Sequence, residues 1–344
     1  MKKILFIGDA ESIHLKKYTD YFLSKDYDVH LATFSLVNHT NVNNVYFLSK
    51  KKVKNSGKNY HYLFSINKLS KIIKNIEPNY VNAHFSYSMG LIAYLALRLT
   101  NVECSFSIVC HGSDILDFPL KICNLINKFV LSKADKVISV SNQITDRIIN
   151  YGIDDNKIFT GQYGVNLNDT KNVEERDIDF ISIRNYVPNS RIDEILKIVG
   201  SKKYNEKKIV FVLPKISDEK FDLFEKTYKK ITFYKYVKHV DLLKILKRSK
   251  FYISATKSDG SSLSLMEAMV SGTIPIVSNI PSNREWIVDG LNGRLFRSFE
   301  ELDEILSEQI IDYDSARKLN FDLIYKKGDY NKQMERIERF LTKI

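Results

Sequence analysis

The stretch FYISATKSDGSSLSLMEAMVSGTIPIVSNIPSNREWIVDGLNGRLF, residues 251–296, decides how the chain is read. It begins as a buried strand over 251–255 and passes into a polar turn holding Asp259, Gly260, Ser261 and Ser262. A short helix carrying Glu267 follows, and after the stop signal Ser271-Gly272 a second apolar strand runs over 273–278. A small, glycine-containing turn between a strand's carboxyl end and a helix's start presents free backbone N–H groups and a positive dipole end, which suits a phosphate. Asp259 and Glu267, eight residues apart, bracket that turn. Carboxylates are repelled by a phosphate, so here they are expected to accept hydrogen bonds from sugar hydroxyls. Phosphate plus hydroxyl-bearing rings describes a nucleotide-sugar. The same residues also have a purely structural reading, since Ser264 and Glu267 fit a helix capping box and every crossover in an α/β protein needs a turn of this kind.

Around this stretch the second half of the chain alternates strand and helix patterns. Strands are expected over 178–183, 208–213, 231–234, 250–255, 273–278 and 294–296, and helices over 191–199, 218–228, 240–248, 262–270, 284–288 and 299–309. Two further helices, over 313–325 and 331–344, close the chain. The first half repeats the alternation, with strands over 3–8, 28–33, 44–48, 80–85, 105–111, 136–140 and 157–161 and helices over 13–24, 66–76, 89–99, 120–132 and 142–151. Strands separated by helices pair in parallel through right-handed crossovers, and near-continuous apolar strands such as ILFI agree with burial on both faces. The polar segment 164–176 reads as a linker between two doubly wound sheets.

In such sheets ligands sit beyond the strands' carboxyl ends. That rule selects Gly8 with Asp9, Glu11, Ser12 and His14 after the first strand, His84 at the end of another, and the turn His111-Gly112-Ser113-Asp114 after a third. Both histidines also fit as packed, satisfied core residues. No GxGxxG follows Gly8 and no GxxxxGK[ST] occurs, which argues against a dinucleotide oxidoreductase and a P-loop nucleotidase. Asp177 and Asp179 mimic a metal-binding pair but sit at a strand's start, the wrong end for a site.

At 344 residues the chain exceeds the ~250–300 residues at which single cores usually stop growing. Its 44% hydrophobic and 27% charged content excludes a disordered chain. A net charge of +11 favours phosphorylated substrates, nucleic acid or anionic lipid. The densest basic run, Lys50, Lys51, Lys52, Lys54 and Lys58, is either a solvated loop or a contact for an anionic membrane surface. No aromatic-basic nucleic-acid module is visible. Cys104, Cys110 and Cys123 have no metal or disulfide spacing, which suits a reducing compartment. The opening MKKILFIGDAES reads as a first strand and not a signal peptide, and no window of ~18 apolar residues appears.

Tandem Rossmann-like sheets together with SDGSSLSLMEAMVSGTIPIVS resemble the retaining nucleotide-sugar glycosyltransferases of family 4, group 1, with the GT-B fold. The resemblance extends through VNAHFSYSMG, the HGSDIL turn, ADKVISVSNQITDRIINYGI, YGVN, ISIRN and NREWIVDGLNGRLF, matching blocks in the right order along almost the whole chain. It implies an N-terminal acceptor domain (1–165), a linker (166–176), a C-terminal donor domain (177–325), a closing helix (326–344) that packs back on the first domain, and a cleft between the two. Glu267 matches the second acid of the family's E-x7-E pair, which hydrogen-bonds the donor's ribose. Asp259 stands where the first acid, usually Glu, lies near the donor sugar. The resemblance gives the loop Gly260, Ser261, Ser262 and Leu263 to the donor phosphates. Arg184 takes the place of the cation that neutralises the leaving diphosphate, with Arg191 as the nearby cation in place of the usual following Lys. His111 matches the strand-end histidine beside the transferred sugar, and Gly8 the acceptor-side loop.

The implied reaction moves a hexosyl unit, from a UDP-sugar in preference to a GDP-sugar, to a saccharide or lipid-linked acceptor in surface polysaccharide synthesis. It proceeds with retention, needs no cofactor and no obligatory metal, and takes place in the cytoplasm or peripherally on the membrane's cytoplasmic face. Two other readings stay open: a non-hydrolysing sugar-nucleotide epimerase on the same architecture, and a non-catalytic nucleotide-sugar-binding partner subunit.

Overall fold

The computed structural model describes residues 1–49, 60–116, 122–167, 175–308 and 311–343. The basic run Lys50 to Lys58 and positions 168–174 of the expected linker lie outside these. The chain divides into two compact units, Met1–Tyr163 with Lys332–Ile344, and Gly164–Asn331.

In the first unit β1 (Lys3–Ile7), α1 (Ile13–Ser24), β2 (Asp28–Thr33), β3 (Asn44–Phe47), α2 (Ile66–Ile76), β4 (Tyr80–His84) and α3 (Leu91–Leu97) are followed by β5 (Ser105–Cys110), α4 (Ile122–Lys133), β6 (Lys136–Ser139), α5 (Asn142–Ile149) and β7 (Ile158–Thr160). The strands form one parallel sheet in the order β3-β2-β1-β4-β5-β6-β7. Helices on both faces bury it completely at its centre. Leu5, Phe6, Ile7, Val81, Ala83, Ile108 and Val109 are each at 0% exposure, which is why these strands are apolar at consecutive positions.

The second unit repeats the scheme with β8 (Ile178–Ile183), α6 (Ile192–Val199), β9 (Ile209–Val212), α7 (Asp218–Thr227), β10 (Ile231–Tyr234), α8 (His239–Lys247), β11 (Ser249–Ser254), α9 (Leu263–Val270), β12 (Ile274–Ser278), α10 (Pro281–Arg284), β13 (Arg294–Phe296), α11 (Phe299–Ser307) and α12 (Tyr313–Lys327). Its strand order is β10-β9-β8-β11-β12-β13, again all parallel. Alternation along β9 divides the core: Ile209 and Phe211 face a layer built on Ile195 and Leu196 of α6, whereas Val210 and Val212 face Leu246, Leu265 and Met269 of α8 and α9. A final helix, α13 (Tyr330–Thr342), carries the chain back, and its buried Met334, Ile337 and Leu341 serve the first unit.

Three local expectations are corrected. The helix expected over 284–288 is the single turn α10, because Pro281 at its first turn sets its start. The helix expected over 89–99 is shortened to α3, and a wide π-type turn over Ser86–Gly90 precedes it. Ser264 does not cap α9: Ser262 is the N-cap, its hydroxyl accepting from Leu265 N at 3.3 Å, while the Ser264 hydroxyl meets Tyr252 Oη at 2.9 Å. Among the described residues no helix is long and apolar enough to cross a membrane.

Candidate functional site

In both sheets the order reverses at one point, between β1 and β4 in the first unit and between β8 and β11 in the second. Loops that leave neighbouring strands in opposite directions open a crevice there. Arg184, Asp259 and the start of α9 meet at the second of these points, and Gly8, His84 and His111 lie at the first.

In the second unit, β8 ends at Ile183 and delivers Arg184, and β11 ends at Ser254 and leads into the turn before α9. The guanidinium of Arg184 binds across that crevice. Its Nε donates to Ser254 Oγ at 3.0 Å, and its Nη2 donates both to Asp259 Oδ2 at 2.8 Å and to Ser262 Oγ at 3.0 Å. The ion pair is half-closed from solvent, with side-chain exposures of 17% and 19%. Burial works against the charge of Arg184, but Tyr252 and Asp259 more than offset it, so the guanidinium stays charged with its pKa above the ordinary value. Gly260 and Ser262 are buried and Ser261 and Leu263 partly so, which brings the start of α9 directly beside Arg184.

Glu267 lies farther along α9 and is held by His239 at the start of α8, whose Nε2 is 2.8 Å from Glu267 Oε1. The sequence reading missed His239, which carries no spacing signal because it reaches Glu267 from another helix. Arg191 does not join the Arg184 cluster in the contacts described. Its Nε donates to the Ala255 carbonyl and its guanidinium lies 5.0 Å over the Phe299 ring. Asp177 and Asp179, at the sheet's other end, form ion pairs with Arg248 and Lys250. Hydrogen bonds from Arg248 hold the Asp177 carboxyl down to about 2.

In the first unit, Gly8 follows β1 in close packing: a Cβ there would come within 3.2 Å of Leu15 Cδ2 and 3.3 Å of His84 Cβ, so these neighbours would have to give slightly. His84 ends β4, and its Nδ1 is hydrogen-bonded to Nε2 of His111 at 2.9 Å. The next neighbours are aromatic. Tyr18 lies edge-on to His84 at 4.9 Å, His14 is 5.2 Å from His111, and Tyr163 Oη meets His14 Nδ1 at 3.0 Å. Burial, followed by the nearness of His14, lowers His84 to about 3, and burial with both histidine neighbours holds His111 well below its ordinary value. Fully buried Asp114 organises the turn, accepting from the backbone N–H groups of Ser86 (2.8 Å), His111 (3.0 Å) and Gly112 (3.0 Å). Its role is therefore structural, and desolvation raises its pKa despite those donors.

Comparison with known proteins bears on the family and the fold. Residues 3–141 match the glycosyl transferase 4-like family and residues 166–326 the glycosyl transferases group 1. An uncharacterized glycosyltransferase of Methanocaldococcus jannaschii is 23% identical over 328 residues, which cover 90% of this chain and 86% of that protein. Among solved structures, sucrose-phosphate synthase of Thermosynechococcus elongatus has a TM-score of 0.82 at 12% identity over 98% of both chains. HepE of Anabaena, in complex with UDP-glucose, has a TM-score of 0.78 at 12% identity over 100% of both. These likenesses show the GT-B fold, two Rossmann-like domains in one chain. With one family match on each unit, the chain belongs to the family 4-like, group 1 glycosyltransferases.

Proposed function

We propose that the chain transfers a hexosyl unit from a nucleoside-diphosphate sugar to a saccharide or lipid-linked saccharide acceptor, with retention of anomeric configuration. The observation that carries this reading is the Arg184 cluster: a charged, part-buried guanidinium set against the N-terminus of α9 at the switch point of the second sheet. A diphosphate leaving the anomeric carbon develops negative charge, and a fixed guanidinium with helix N–H donors stabilises it without reorganisation. On this reading Arg184 and the loop Gly260, Ser261, Ser262 and Leu263 hold the diphosphate, and Glu267 accepts from the ribose. Asp259 and His111 lie at the transferred sugar, and the first unit serves the acceptor side through the Gly8 loop. The same arrangement supports a metal-independent mechanism. HepE, bound to UDP-glucose, supports a UDP-sugar over a GDP-sugar. The net charge of +11 supports peripheral contact with an anionic membrane, and three cysteines without metal or disulfide spacing support a reducing, cytoplasmic compartment; the family resemblance alone supports a role in surface polysaccharide synthesis.

The test is nucleoside-diphosphate release over a panel of UDP- and GDP-sugars and acceptors, with and without EDTA. Transfer that survives EDTA and is abolished in a folded Glu267→Ala variant is expected. Full activity in that variant removes Glu267 from the donor site, and an epimerised sugar formed without acceptor replaces transfer by epimerisation.

A further inference from the structure

Adjacent parallel strands bring two imidazoles together at the head of the first sheet. His84 is the last residue of β4 and lies in register with Val109 of β5, two positions before His111. The rings stack at 5.0 Å with 27° between planes, and His84 Nδ1 and His111 Nε2 share one hydrogen bond. A single proton occupies that bond, so one nitrogen is the donor and the other is bare.

The surroundings decide which. His84 is 1% exposed, and its Nε2 is buried without a hydrogen-bond partner. Tyr18, 0% exposed and edge-on to His84, has its hydroxyl buried without a partner too. If His111 donated, the proton of His84 would sit on Nε2, leaving a buried N–H donor without a partner beside the equally unpartnered Tyr18 hydroxyl. If His84 donates from Nδ1, its Nε2 is a bare acceptor, and of the two groups the Tyr18 hydroxyl alone is left as an unpartnered buried donor. Orphaned buried donors are the rarer and costlier defect, so the second arrangement prevails. The strong downward pull of burial on both imidazoles keeps the pair neutral near pH 7, which excludes a doubly protonated alternative.

We infer that His84 is a positioning residue that donates its Nδ1–H to His111 Nε2, fixing His111 as the tautomer whose only proton is on Nδ1. His111 is partly exposed, and Nδ1 is the nitrogen left for a ligand. It therefore meets a sugar oxygen as a neutral hydrogen-bond donor and cannot serve as a general base. The consequence for transfer rests on the reading of the chain as a glycosyltransferase, whereas the tautomer does not.

Nitrogen-15 imidazole spectra of the full-length chain, labelled at histidine and assigned with His111→Asn, test this directly. The expected His111 signals are pyrrole-like at Nδ1 and pyridine-like at Nε2 near neutral pH. A protonated Nε2 or an imidazolium overturns the inference. In kinetics, His84→Leu removes the donor, and kcat is expected to fall about 10²-fold with the donor KM within about twofold, the loss of one aligned hydrogen bond. His84→Asn keeps an amide N–H at the same place and is expected to recover kcat to within about tenfold of the parent, a rescue that a packing role would not produce. Unchanged kcat in a folded Leu variant overturns the positioning role, and should that variant not fold, the parent spectrum decides. A parent chain that shows Nδ1–H on His111 but turns over no nucleotide-sugar leaves the tautomer standing and removes the transferase reading.

Discussion

Arg184 has three acceptors around it, and one of them, Asp259, carries a full negative charge. A donor diphosphate reaching that guanidinium competes with the carboxylate already there. Asp259→Asn removes the competing charge and leaves an amide that can still accept a hydrogen bond. UDP or GDP alone is therefore expected to bind the variant about fivefold more tightly, the worth of roughly 1 kcal/mol released from a part-buried pair. Sugar transfer is expected to fall, because the acid proposed to lie at the sugar is lost. Calorimetry on both proteins checks this, and weaker binding by the variant would mean that Asp259 orients Arg184 for the ligand instead of restraining it. The two histidines make a second residue-level prediction. His84 stays neutral when folded down to about pH 3, and His111 is displaced in the same direction. Unfolded, both take a proton near their ordinary value of ~6.5. Below that pH the unfolded chain binds more protons, so stability rises with pH and is lost on acidification, by up to about 1.4 kcal/mol per pH unit for each histidine. Asp114, whose pKa is raised by burial, acts with the opposite sign above its ordinary value, one carboxyl against two imidazoles. Denaturant unfolding of the first unit between pH 7 and 5 is expected to show a net loss, and a flat profile would deny that the pair is held neutral.

At the scale of elements, α9 shows what a sequence carries and what it hides. Several elements are legible from periodicity alone: the bounds of α1, α2, β2, β8, β10 and β13 coincide with those expected, because each is an uninterrupted apolar stripe or run ended by its own turn residues. The start of α9 is not set locally. Ser264 and Glu267 have capping-box spacing, but Ser262 caps because its hydroxyl accepts from Leu265 N and also from Arg184, 78 positions earlier. The turn before α3 is likewise held from a distance, by Asp114 on the Ser86 N–H, 28 positions away. The candidate site divides in the same way. Arg184, Asp259, Glu267 and His111 follow strand ends or a motif and can be found from sequence, whereas His239, Tyr18 and Tyr163 enter only through packing. The double duty of Ser262 separates folding from binding experimentally. Ser262→Asp keeps a good N-cap and a partner for Arg184, so the melting temperature is expected to stay within about 3 °C of the parent. The added carboxylate stands where the proposed diphosphate sits, and donor affinity is expected to fall at least about tenfold through like-charge repulsion. Undiminished donor affinity would move the phosphate site away from the start of α9.

At the scale of the whole molecule, the chain leaves its first unit after Tyr163 and returns to it at Lys332. The first unit is therefore completed by residues from the far end of the sequence. Glu338 on α13 accepts from the hydroxyls of Tyr21 (2.8 Å) and Tyr27 (3.0 Å), and Lys136 donates to the Leu341 carbonyl at 3.1 Å. Phe340 packs on Phe159 at 5.6 Å. Met334 and Ile337 are at 0% exposure and Leu341 at 3%. Burying these three side chains is worth about 5–9 kcal/mol as an upper estimate, comparable with the whole stability of an ordinary domain at 5–15 kcal/mol. A fragment of residues 1–163 is therefore expected not to fold stably on its own. Residues 164–331 keep the complete β10-β9-β8-β11-β12-β13 sheet and both of its packed layers. That fragment is expected to unfold cooperatively in denaturant and, on the reading proposed above, to bind a nucleoside diphosphate by itself. Residues 1–163 are expected to gain a cooperative transition only when a peptide of residues 330–343 is supplied or fused to them. A cooperative transition in 1–163 alone, at the denaturant midpoint of the first unit in the intact chain, would reduce α13 to an appendage.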